Sequence, residues 1–312
     1  MSYQSLTPEV LAQLNAVLPG CVLSGDQIKE DYAHDEMISA GFRMPDAVVL
    51  AQSTEDVSKA CKILYENNIP IIPRGAGTGL SGGCAPICGG VVIDLTKMNH
   101  ILRWDLENAM VHIEAGVILA DLTAACAERG MFYPPDPGQR FAAVGGNVAT
   151  NAGGMRAVKY GVTRDYVLAL TVVLADGRII ELGKSVCKTS SGYSLLHLMI
   201  GSEGTLGIIT EMTMKLIPNP ICDISCLVPF RDVESCIHFV PKIKMANLDP
   251  QSIEFMDADI VTSSAAFTGN PIFPETVNNE DVGASVLVTF VGSDEDELDQ
   301  KLIRLGKIAE EA

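Results

Sequence analysis

Residues 73–83, PRGAGTGLSGG, carry glycines at 75, 77, 79, 82 and 83, and this loop constrains the fold more than any other stretch. Without Cβ atoms the backbone can take positive φ and turn its amides into a concave array, which binds phosphate without cationic side chains. A strand–helix–strand pattern leads into the loop. AVVLA at 47–51 is a short apolar run. Ser53 and Thr54, followed by Glu55 and Asp56, open a helix that ends at Asn67 and Asn68, and IPII at 69–72 is the next strand. A helix between two continuously apolar strands predicts a right-handed βαβ unit with parallel strands. The loop itself runs on to another strand, VVIDL at 91–95.

That order excludes two familiar phosphate loops. Gly75, Gly77 and Leu80 give a partial G-x-G-x-x-[GA] pattern. A Rossmann loop opens directly into a helix, whereas this one passes through Pro86, Gly89 and Gly90 into a strand, which counts against a nicotinamide-dependent Rossmann enzyme. No Gly-Lys-Ser/Thr follows, so it is not a Walker A loop. Gly183-Lys184-Ser185 does occur later, but Arg178 stands where the first glycine is required.

Two further segments have the same character. AVGGNVATNAGGMRAVKYG at 143–161 combines small residues, which permit close backbone approach, with Asn147, Thr150 and Asn151 as hydrogen-bonding groups. GSEGTLGIIT at 201–210 ends in a β-branched run suited to a strand beside a heteroaromatic ring. YPPDPG at 133–138 is a proline-locked corner. Around them, hairpins are expected at 101–114 and at 168–182, the second turning on Ala-Asp-Gly-Arg, and a helix at 119–129. An N-terminal helix begins at Pro8 after Thr7. A strand at 207–216 is halted by Pro218 and Pro220, the expected domain boundary. Beyond it come a strand at 224–228, a helix at 231–246, strands at 252–256 and 285–291, and a helix from Asp294 with Ser293 as its cap.

Composition narrows the partners. Lys plus Arg number 22 against 39 Asp plus Glu, a net charge of −17. So acidic a surface disfavours nucleic acid but leaves a small anionic substrate open, since a few local cations reverse the field in a pocket. The nine cysteines show no disulfide framework, no signal peptide is read at the start, and no apolar run reaches the roughly 18 residues of a membrane span. Reduced thiols in the cytoplasm, with no transmembrane segment, are the expectation. Cys84 with Cys88 and Cys222 with Cys226 are spaced C-x3-C, but no second pair or histidine cluster accompanies either. They read as free, small hydrophobes.

Taken together, PRGAGTGLSGG, PPDPG, GGNVATNAGG, KYG and GSEGTLGIIT resemble the FAD-binding domain of the vanillyl-alcohol oxidase and p-cresol methylhydroxylase superfamily, within its D-lactate dehydrogenase and glycolate oxidase branch. The resemblance covers residues 46 to about 216. It implies that the first loop wraps the FAD pyrophosphate with Arg74, Gly75, Ala76, Gly77, Thr78, Gly79, Leu80 and Ser81, largely through amides. It places Asp136, Pro137, Gly138, Gly145, Asn147, Thr150, Asn151 and Gly154 along the isoalloxazine and ribityl. Glu203, Gly204, Ile208 and Ile209 fall on the adenosine side. Covalently flavinylated relatives carry a histidine in the first loop; this loop has none, which implies non-covalent FAD, and Cys84 and Cys88 lie a few residues off the attachment point.

The fold so implied is α+β: an N-terminal helical segment at 1–44 packed on a two-subdomain FAD-binding domain at 45–222, then a partial α+β cap at 223–312. The implied reaction is FAD-dependent oxidation of a D-2-hydroxyacid to the 2-oxoacid by hydride transfer to flavin N5, with electrons passing to an acceptor protein or quinone. In that branch the metal and substrate motif is rich in histidine and lies beyond the cap. The five histidines here (34, 100, 112, 197 and 238) are isolated, so no metal site and no catalytic base is assigned, and the chain is expected to be C-terminally incomplete. The alternative is a truncated or split FAD-binding module that needs a partner to supply the catalytic half.

Overall fold

The computed structural model describes residues 3–186 and 188–311. They divide into two compact units, 1–153 with 162–218, and 154–161 with 219–312.

Among its described residues the first unit contains two larger sheets and a short two-stranded pairing of Met131–Phe132 with Ile217–Pro218. One is four-stranded: β1 (Val22–Ser24), β2 (Ala47–Leu50), β3 (Ile71–Arg74) and β4 (Val91–Asp94), in the order β1-β2-β4-β3. The helix joining β2 to β3, Thr54–Glu66, is capped by Ser53, whose hydroxyl accepts from the Asp56 amide at 3.2 Å. It buries Val57, Ala60, Cys61 and Leu64, one side of a 3.6-residue period. As the sequence predicts, β2 and β3 run in the same direction, but they are not neighbours. β4 lies between them and is parallel to both. All four residues of β4 are buried, which explains its unbroken apolar run.

This order has a consequence for the glycine loop. Parallel neighbours need a crossover that returns along the length of the strands, and a helix usually makes it. Between β3 and β4 the crossover is residues 75–90, which contain no helix.

The second sheet of this unit is antiparallel. Its order is β5 (Ile101–Asp105), β6 (Met110–Glu114), then Ile208–Lys215, Val167–Val173 and Ile179–Gly183. Both expected hairpins are present, pairing Asp105 with Met110 and Val173 with Ile179. GGNVAT, to which sequence reasoning assigned no regular element, is the core of a short helix, Val144–Thr150.

The second unit is a three-stranded antiparallel sheet with Ala284–Gly292 between Cys222–Phe230 and Ser252–Asp257. Helices Val233–Met245 and Glu295–Glu310 contribute Phe239, Ile243, Leu298 and Leu305 to a core that also holds Val286, Val288 and Phe290. The last helix is capped by Asp294, one residue later than expected, because its Oδ1 accepts from the Glu297 amide at 2.8 Å. A helix that sequence reasoning missed, Ala258–Thr268, buries none of its residues. With no buried face it leaves no apolar period to read. No helix of the described residues is long and apolar enough to cross a membrane.

Candidate functional site

A cavity of about 470 Å³ opens in the first unit, within the range of small-molecule sites. Its walls come from the crossover loop after β3, the Val144–Thr150 helix, and the turn that leads into the Ile208–Lys215 strand. The three glycine-rich segments therefore converge on one space.

The loop's defining property is in its backbone. From Ala76 through Cys84, no backbone N–H donates to an acceptor among the described residues. A helical crossover would have paired those amides internally; this one leaves them available to an anion. Gly77 has φ +75°, where a side chain is strained, and a Cβ there would run into the Arg74 guanidinium. Gly79 differs: its φ is ordinary, and a Cβ would make only a 3.5 Å contact with Asp35 Oδ2. Close packing also shapes the opposite wall, where a Cβ on Gly145 would come within 2.6 Å of the Ala115 Cβ.

Arg74 is the only basic residue among the described residues lining the cavity. It is buried, its Nη1 donates to the His34 carbonyl at 2.7 Å, and its guanidinium lies 5.6 Å from the Tyr32 ring centroid. The Tyr32 hydroxyl donates in turn to Asp94 Oδ2 at 2.6 Å. Burial, then that carboxylate, raises the phenol well above its ordinary pKa. Burial likewise raises the Cys84 thiol at the cavity wall, which keeps it protonated and a poor nucleophile.

Arg74, Gly75, Ala76, Gly77, Thr78, Gly79, Leu80 and Ser81 all line the cavity, as do Pro137, Gly145, Asn147 and Thr150. Glu203, Gly204, Ile208 and Ile209 line it as well. Asp136, Gly138, Asn151 and Gly154 do not. The Asp136 carboxylate accepts from the Gly138 amide at 3.3 Å, holding the proline corner. Asn151 ends the helix in a left-handed conformation, and its side chain accepts from the Arg164 amide at 2.9 Å. Gly154 falls in the segment grouped with the second unit. Sequence reasoning missed Asp35, Ala115 and Gln139 on the cavity wall, none of which lies in a glycine-rich segment.

No group of three His, Cys, Asp or Glu side chains able to hold a metal occurs among the described residues. The histidines have local partners instead: His100 with Glu114, His112 with Glu211 and Thr213, His197 with Ser194.

FAD fits this donor set. Its pyrophosphate needs N–H donors and little side-chain charge, and its ring system needs small and apolar walls, which Gly145, Ile208 and Ile209 supply. Comparison with known proteins agrees. The FAD binding domain family matches residues 45–183, and the C-terminal domain of FAD linked oxidases matches residues 223–312. A D-lactate dehydrogenase from Anaerostipes hadrus is 51% identical over 99% of this chain and 65% of its own length. Glycolate oxidase subunit GlcD of Bacillus subtilis is 44% identical over 69% of this chain and 46% of its own. The chain thus spans from about half to about two thirds of the curated relatives it matches. In fold it is similar to an alkyldihydroxyacetonephosphate synthase (TM-score 0.83, 22% identity, 100% of this chain and 60% of that one). It is also similar to p-cresol methylhydroxylase (TM-score 0.78, 20% identity, 97% of this chain and 64% of that one). The chain thus carries sequence of an FAD binding domain followed by sequence of the C-terminal domain of FAD linked oxidases.

Proposed function

We propose that this chain is the FAD-holding part of an enzyme that oxidises a D-2-hydroxyacid of the lactate or glycolate class to the 2-oxoacid. The observation that carries the reading is the 51% identity to a protein named D-lactate dehydrogenase across 99% of this chain, including every segment around the cavity. In that reaction a base takes the hydroxyl proton while the α-hydrogen leaves as hydride, and FAD, when bound, supplies the acceptor at N5. The work of this chain is to hold and orient. The amides of residues 76–84 would hold the pyrophosphate, Arg74 would balance part of its charge, and the Gly145 wall would line the isoalloxazine while Ile208 lines the adenosine side. The absence of a histidine from the loop supports non-covalent FAD. Electrons then leave to an acceptor protein or a quinone.

A second reading, an FAD module that is inactive without a partner's catalytic half, is favoured by one observation. The described residues bring together no cluster able to hold a metal, and His100, His112 and His197 are engaged locally. One experiment separates the readings. D-lactate, glycolate and D-2-hydroxyglutarate are added anaerobically to the FAD-loaded chain and flavin bleaching is followed. Bleaching by one of them within about a second, an ordinary turnover time, supports the enzyme and names its substrate. A chain that keeps its FAD and is bleached by none supports the module.

A further inference from the structure

The segment before β2 does more than cover the core. Residues 30–40 form two short 3-10 turns, Glu30–Ala33 and Ile38–Ala40, and the stretch between them lies on the glycine loop. The Arg74 guanidinium donates to the His34 carbonyl, and the Glu36 amide donates to the Gly79 carbonyl at 3.0 Å. Asp35, between those two anchors, is only 6% exposed and lines the cavity. Its Oδ1 accepts from the Met37 amide at 2.9 Å. Its Oδ2 is buried and has no hydrogen-bond partner, and it sits 3.5 Å from where a Cβ on Gly79 would be.

A buried carboxylate oxygen left without a donor is costly, so folded proteins rarely keep one that nothing ever satisfies. Its surroundings restrict what can satisfy it. The pyrophosphate offers only acceptors and would repel it. The groups of FAD that flank the pyrophosphate on both sides, the ribityl and the ribose, carry hydroxyl donors. Nucleotide folds of another kind pair an acidic side chain with a ribose hydroxyl near a glycine loop for the same reason.

We propose that Asp35 is a cofactor-positioning residue, its Oδ2 accepting a hydrogen bond from an FAD hydroxyl next to the pyrophosphate. The proposal rests on the FAD reading of the cavity. It makes residues 30–40 a working wall of the site, one that sets where the sugar lies relative to the amide array.

The test is Asp35→Asn. With its carbonyl kept on the Met37 amide, the variant preserves the turn and puts an NH2 group where Oδ2 was, replacing the acceptor with a donor. FAD affinity of the apoprotein is measured by fluorescence titration, and apoprotein melting by circular dichroism, for wild type, Asp35→Asn and Asp35→Ala. The expected result is FAD binding weakened about 10- to 100-fold in Asp35→Asn, with an apoprotein melting midpoint no lower than that of the wild type. Asp35→Ala should weaken binding at least as much. Displacement by ADP and by FMN identifies the hydroxyl: a matching loss for ADP assigns the ribose, and one for FMN assigns the ribityl, either of which supports the proposal. Affinity within twofold of wild type in Asp35→Asn overturns it. Tighter binding overturns it too, since it would make Asp35 a repulsive charge behind the loop. A wild-type apoprotein that is folded and binds no FAD overturns the parent reading, and this one with it.

Discussion

The crossover at 75–90 and the three-stranded sheet of the second unit use their backbone amides in opposite ways. In the sheet, Cys222–Phe230 and Ser252–Asp257 pair along their whole lengths with Ala284–Gly292, and the side chains close over a core of Phe239, Phe290 and Leu298. In the crossover, the amides from Ala76 through Cys84 donate to no acceptor among the described residues. Regular structure satisfies its own polar groups and gains by burying apolar surface; a loop with open amides gains only when a ligand arrives. The difference shows where binding and where packing reside, and each can be disturbed separately.

The largest expected effect is on the loop. Gly77→Val places a β-branched residue at φ +75° and drives its side chain into a buried arginine that is itself anchored to His34. FAD binding should fall by more than about 100-fold, while the conformational cost to the apoprotein is about 1–3 kcal/mol. Gly79→Ala is the internal control. Its φ is ordinary and the new methyl meets Asp35 at 3.5 Å, so apoprotein melting should stay at the wild-type value. Titration and thermal melts of both variants check this. Stoichiometric FAD in Gly77→Val would remove the loop from the site. Acid precipitation of the loaded chain sharpens the same point: all of the yellow chromophore should enter the supernatant, and colour in the pellet would show a covalent link.

Next in size is Phe239→Ala in the second unit. Phe239 is fully buried against Phe230 at a 5.1 Å centroid separation, and deleting such a ring costs about 3–5 kcal/mol. Urea melts should show that loss while FAD affinity changes less than twofold. A parallel fall in affinity would break the division between a binding unit and a packing unit.

How much of this was legible follows from where the signal lies. Continuous apolar runs revealed β2, β3 and β4, and short runs flanking turn residues revealed the two hairpins. The insertion of β4 between β2 and β3 was not legible, because strand order is a long-range fact that no local pattern encodes. The helix Val144–Thr150 was not read because Gly145 and Gly146 each lower helix propensity by about 1 kcal/mol. Packing overrides that preference, since Gly145 is pressed against Ala115. Asp35 was invisible for a different reason. Its segment has neither periodicity nor glycine, and only the folded chain brings it onto Gly79.

The smallest expected effects sit at the start of the last helix, where a cap and a pair of charges can be told apart. Asp294→Ala removes the acceptor for the Glu297 amide and should cost about 1 kcal/mol, seen as a lower urea midpoint. Glu297 itself is held down to about pKa 2, first by the hydrogen bond from Lys301 at 2.6 Å and then by Ser293. A carboxyl whose folded pKa lies below its unfolded value adds stability that is present above the unfolded value, near 4.5, and is lost as pH falls toward 2. The Glu297 side chain is 40% exposed, so screening should keep that contribution small. The carboxyl carbon shift of Glu297, followed by NMR from pH 6 to pH 2, should therefore still be moving at the acid end. In Lys301→Ala the titration should rise toward the ordinary glutamate range while FAD affinity stays at its wild-type value. A Glu297 that titrates normally in the intact chain would mean that the Lys301 contact does not persist in solution, leaving Asp294 as the group that fixes where this helix begins.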